Sequence, residues 1–163
     1  MKRLLLSAAL LLAFPIAASA QDKPDGKVLF RCQDIGHPVQ EPLGDREGHA
    51  IEVAPYSCRV ESGAWKDGVM TGTAIWEWDG PKATELSNSG VTRGPGGTVA
   101  YKGGGGELSL TMADGKVTGF TASGKGTNIL VTGGWGKGMP PNYHWTAKPD
   151  GPAGQFIVDS TNE

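Results

Sequence analysis

Past residue 20 no window of the sequence carries an amphipathic helical period, and glycine recurs too often for a long helix to survive a cost of about 1 kcal/mol per glycine. Helices are therefore minor. Basic residues are few and scattered; without Lys2 and Arg3 the 15 cations fall to 13 against 17 acids. With no basic patch, neither nucleic acid nor an anionic membrane surface is expected as a partner. Cysteine is confined to Cys32 and Cys58, with no Cys-x-x-Cys and no Cys/His cluster at zinc spacing. No serine occupies a Gly-x-Ser-x-Gly elbow, and the three histidines have no recognisable nucleophile partner. Neither a metal nor a cofactor is expected, no catalytic residue is assigned, and the balance leans against an enzyme.

The chain opens with Lys2-Arg3, an apolar run from Leu4 to Ala17, and Ala18-Ser19-Ala20 ahead of Gln21-Asp22-Lys23. Positive start, short apolar run and small-x-small site make residues 1–20 a signal peptide cut after Ala20. The run is shorter than the ~20 residues of a spanning helix and is broken by Pro15, so no membrane anchor is expected. The pattern is of the Sec type, which places the product in the periplasm or outside the cell. Residues 21–163 are then one domain, of a size that folds around a single core, with 21–49 partly irregular.

What is abundant is glycine, 26 residues, all after the leader, with no collagen period. They alternate with β-branched and aromatic residues, the pattern of short strands joined by tight turns. Val69 to Trp78 puts Met70, Ala74, Trp76 and Trp78 on one face. Thr98 to Lys102, Glu107 to Met112, Lys116 to Ser123, Asn128 to Thr132, Asn142 to Ala147 and Gln155 to Asp159 follow, with an Asp114-Gly115 hairpin turn between the second and third of these. Lys27 to Gln33 and Ala50 to Val60 precede them, Pro55 marking an edge or bulge in the latter. Leu108, Leu110, Met112, Phe120 and Leu130 are read as inward. The expected fold is all-β, an antiparallel barrel of about eight strands, with a β-sandwich as the alternative; closure removes exposed edges and favours the barrel.

In an oxidising compartment Cys32 and Cys58 are expected to pair, adding about 3 kcal/mol, ahead of a metal site or a reactive thiol. Inside that loop His37, Asp45, Glu47 and His49 form a candidate polar site, since imidazole and carboxylate serve as ligands and proton carriers; a solvated connector has the same composition. Gly119 to Lys125 matches a P-loop up to its lysine, but Gly126 replaces the hydroxyl residue and no helix follows, so strand and turn are expected there. Trp76, Trp78, Trp135, Tyr143 and Trp145 are candidate ligand-stacking rings, weighed against a place in the core. Glu77, Glu85, Glu107 and His144 are the strand-borne ionisable groups, expected to face solvent because buried unpaired carboxylates are costly.

Gly44-Asp45 with Gly48-His49 before the first clear strand, then Asp114-Gly115-Lys116-Val117, Gly124-Lys125-Gly126 and Thr132 to Gly138, resemble small exported bacterial proteins with an allene oxide cyclase-like barrel, the shape shared with plant dirigent proteins. The resemblance runs from about Gly44 to the C-terminus. It implies an eight-stranded antiparallel barrel with an internal cavity, often oligomeric, that handles apolar small molecules. Three functions follow as expectations. The first is a binding or scaffold protein holding a small apolar ligand; the others are a cyclase- or isomerase-like enzyme, and an envelope protein-interaction module.

Overall fold

The computed structural model describes residues 26–136 and 139–163. The expected leader and its cut after Ala20 lie outside the described residues. Ten strands make up the fold: β1 Lys27–Asp34, β2 Val39–Pro42, β3 His49–Val60, β4 Val69–Asp79, β5 Lys82–Gly94, β6 Gly97–Gly103, β7 Glu107–Ala113, β8 Lys116–Val131, β9 Asn142–Pro149 and β10 Gln155–Asn162. A 3-10 turn, Gly133–Gly136, follows β8.

All pairings are antiparallel and run β1-β10-β9-β8-β6-β5-β4-β3, with β1 pairing back onto β3. The circuit is a closed eight-stranded barrel, the first of the two expected architectures. β6 and β7 share one place in the wall between the long strands β5 and β8, separated by Gly104-Gly105-Gly106. In the same way β2 continues β1 along β3. Pro55 lies at the β1/β2 junction, where its carbonyl accepts from Ile35 N–H. The N–H that proline lacks would point to that same broken edge, so no ladder bond is lost.

Cys32 lies directly opposite Cys58 in the β1/β3 pairing, and the two form the disulfide. The cross-link therefore staples the seam that closes the barrel. The first and last described strands are tied as well, since the amide and side chain of Asn162 both donate to the Gly26 carbonyl.

The inward face of β4 is the expected one, and Met70, Ala74 and Trp76 are buried. One barrel end is packed solid. Trp65, from the 61–68 loop, is buried edge-on to Phe30, with Val28, Val60, Val99 and Thr92 around that level fully enclosed. Trp135 lies over Gly94 and Gly96, where any side chain would collide with its ring.

Four details differ from the sequence reading. β5 was not expected, because its inward residues, Ala83, Glu85, Asn88, Gly90 and Thr92, are small or polar and give no apolar period. β8 is one strand through Gly124-Lys125-Gly126, with no turn. Leu130 is outward and exposed, since the ladder shifts between Ala100 and Tyr101, so that Asn128 takes the inward place and Ile129 is the extra residue. Met112 is half exposed, beyond a second shift opposite Val117 at the hairpin tip.

Candidate functional site

Above the packed end the barrel is hollow. A cavity of about 280 Å³ is lined by inward side chains from every position in the wall. Its walls are mainly apolar and aromatic, including Trp76, Trp145, Leu108 and Phe120. Such a concave, apolar chamber with a few placed polar groups is the usual form of a small-molecule site.

A cluster of polar groups at its centre comes from β3, β5, β6 and β9. Tyr56 on β3 donates to Asn88 Oδ1 on β5 at 2.7 Å, and the Tyr56 and Tyr101 hydroxyls meet at 2.7 Å. With the Tyr56 proton committed to Asn88, Tyr101 is the donor of that second bond. The chain exists because Gly72 and Gly90 face the two rings: a Cβ at Gly90 would lie 2.2 Å from the Tyr101 hydroxyl. Tyr143 on β9 stands edge-on to Tyr101 and donates to the Lys102 carbonyl at 3.4 Å.

Glu85 is the exceptional residue. It is 1% exposed, and neither carboxylate oxygen has a hydrogen-bond partner. Two backbone features put it there. The β4/β5 ladder shifts between Ile75 and Trp76, which pair with Ser87 and Glu85, so Leu86 is the extra residue and points outward, half exposed. Regular alternation inward from Asn88 would bury Leu86; the bulge buries Glu85 instead. Opposite it, the glycine break between β6 and β7 makes room. Glu85 N–H donates to the Gly106 carbonyl and Gly105 N–H to the Glu85 carbonyl, both at 2.7 Å, and a Cβ at Gly106 would crowd Glu85 Oε2 at 3.1 Å.

Burial raises the pKa of Glu85; the Asn88 side chain and the Gly106 backbone lie near enough to offset this in part, but neither reaches hydrogen-bonding geometry with the carboxyl. Burial also pushes Tyr56 up to about 12, against the opposing pull of its bonds to Tyr101 and Asn88. Tyr101 and Tyr143 are raised further by burial and by neighbouring groups, so all three phenols are neutral donors. Asp34 and Glu52 also line the cavity, and burial raises both.

Of the five candidate rings, Trp76, Trp78, Tyr143 and Trp145 line this cavity. Trp135 does not; it covers the packed end. Of the candidate polar group, Asp45 and His49 meet, Nδ1 to Oδ1 at 2.5 Å, while His49 Nε2 lies 2.9 Å from Glu77 Oε1. Arg46 bridges Asp45 and Asp79, so the cluster fastens the β2/β3 turn to β4. Glu77 first and then Asp45 raise the His49 pKa. His37 and Glu47 are exposed and take no part in this cluster. Among the described residues no group of three or more His, Cys, Asp or Glu is placed to hold a metal ion.

Glu107 is exposed and His144 bonds Glu163 outside the lumen, but the expectation that Glu85 faces solvent is overturned by the bulge at Leu86. Tyr56, Asn88 and Tyr101 were not singled out by sequence. The available signal is the glycine opposite each ring, Gly72 beside Tyr56 and Gly90 beside Tyr101, which becomes legible only once strand register is known. No family model, no curated protein and no solved structure matches the chain.

Proposed function

We propose that the barrel is a binding protein of the periplasm or cell exterior that holds a small, largely apolar molecule in its interior. One observation carries the reading. Glu85, a costly unpaired acid, projects into an apolar-walled cavity that Leu86 would have filled, had the strand stayed regular. Packing alone gives no reason for that exchange. A ligand polar group that meets the carboxyl does.

Native mass spectrometry of protein purified from its source tests this. The expected result is a bound small molecule with the wild type and none with Ala74→Phe, which fills the lumen while circular dichroism still reports a β-sheet fold. Wild type emerging without any bound molecule, and unresponsive to added apolar compounds by tryptophan fluorescence, overturns the reading.

A cyclase- or isomerase-like enzyme is the second reading, favoured by the same residue. Its condition is an ionisable group inside a dry cavity, and Glu85 beside neutral phenols is the set that proton transfer to and from carbon or oxygen uses. The molecules carried by wild type and Glu85→Gln, compared by chromatography, separate the two. A binder carries the same compound in both proteins; an enzyme leaves an isomer of it in the variant.

A further inference from the structure

We infer that the molecule held in the barrel is a hydrophobic amine, bound as its ammonium ion against the Glu85 carboxylate and surrounded by aromatic rings. The inference rests on the proposal that the cavity binds a ligand, and it names that ligand's chemical class.

The charge inventory of the cavity has one sign. Three carboxylates line it, Asp34, Glu52 and Glu85, and no lysine, arginine or histidine does. The titratable groups facing Glu85 are the phenols of Tyr56, Tyr101 and Tyr143, all neutral. Among the described residues, then, nothing supplies a counter-charge, and both oxygens of a carboxylate that is 1% exposed are left without a donor. Buried acids in folded proteins are paired. Here the partner has to come from outside the chain.

The surroundings suit a cation. Tyr56 and Tyr101 have committed their protons to the chain ending at Asn88, so neither hydroxyl offers a donor to the lumen. Trp76 pairs directly across from Glu85, and Trp145 packs against Gly106 and Gly124 on its other side. Ring faces around a desolvated ammonium add cation–π attraction to the ion pair. An anionic ligand such as a fatty acid meets three carboxylates and no donor cation. A neutral one leaves the buried carboxylate without a counter-charge.

Three probes of similar size distinguish these cases: 2-phenylethylamine, propylbenzene, which replaces the ammonium by a methyl group, and 3-phenylpropionate. Binding to the purified chain is followed by tryptophan fluorescence and calorimetry. The amine is expected to bind about tenfold or more tighter than propylbenzene, with the carboxylate weakest. Glu85→Gln should bring amine and propylbenzene together without weakening propylbenzene. Should that variant not fold, the wild type suffices: acidification that protonates Glu85 should weaken the amine several-fold and leave propylbenzene unchanged. Propylbenzene binding as tightly as the amine, or amine affinity that ignores acidification, overturns the amine assignment while the cavity reading stands. Failure of all three probes to bind overturns both.

Discussion

The two levels of this barrel are built to opposite rules. At the packed end large rings close the lumen, Val60, Val99 and Thr92 are sealed from solvent, and the Cys32–Cys58 bond locks the seam. A few residues along the same strands, the wall gives up a leucine to solvent, breaks a strand at three glycines, and buries an unpaired acid beside three phenols. The first level stabilises and the second costs stability. A protein only marginally stable overall retains such a cost where the exposed chemistry is of use.

Breaking the packed end should have the largest effect. Trp65→Ala empties the plug beside Phe30 and is expected to lower unfolding free energy by about 3–5 kcal/mol in a urea titration. Replacing both Cys32 and Cys58 by alanine should cost about 3 kcal/mol by the same measure, with the native barrel retained. At the hollow level the sign reverses. Glu85→Met removes the unpaired acid and is expected to raise stability by about 1–3 kcal/mol while abolishing selective binding of amines. A loss of stability in that variant would show that Glu85 supports the fold and would erase the contrast between the levels.

The pH dependence gives a smaller and finer test. The folded state raises the pKa of Glu85, so in the interval between the unfolded and folded values it holds a proton that the unfolded chain has lost. Stability is therefore full below the ordinary glutamate pKa and declines as pH rises through the folded value. Glu85→Gln should flatten this slope. His49, also raised, follows the same sign in a window starting near the ordinary histidine value of about 6.5. Its protonated contacts to Glu77 and Asp45 are lost as pH rises through the raised value. Because those partners are solvent-exposed, His49→Ala should alter mainly hydrogen exchange in the β2/β3 turn, the smallest effect of the series.

Much of the wall and four of the cavity's rings, Trp76, Trp78, Tyr143 and Trp145, were legible in the sequence; the polar groups at its centre were not. Period-two alternation locates Met70, Ala74, Trp76 and Trp78 on the inner face, and oxidising chemistry pairs the cysteines. Alternation fails where a bulge adds a residue, and bulges set the inward residues at Glu85 and Asn128. A carboxylate on a strand of polar and small residues reads as solvated until the register shift at Leu86 is seen. β5 was overlooked on the same grounds, although it carries both Glu85 and Asn88. Tyr56 and Tyr101 gave no separate signal, because their partnership depends on Gly72 and Gly90 lying opposite them on the neighbouring strands, which only the register reveals. His49 and Asp45 belong to the polar segment that the sequence marks together with His37 and Glu47, but composition does not say which of the four meet, and Glu77 joins the pair only across the β3/β4 ladder.

The disulfide-bearing seam also dictates an order of assembly. β1 meets β3 as soon as residues up to Val60 are available, but its other edge waits for β10, Gln155–Asn162, at the far end of the chain. A cylinder closed by contacts so distant in sequence forms slowly, and until the last strand arrives the nascent sheet presents a bare row of amides and carbonyls. Cross-linking β1 to β3 early leaves one half of that unfinished edge already in place, ready to receive its final neighbour.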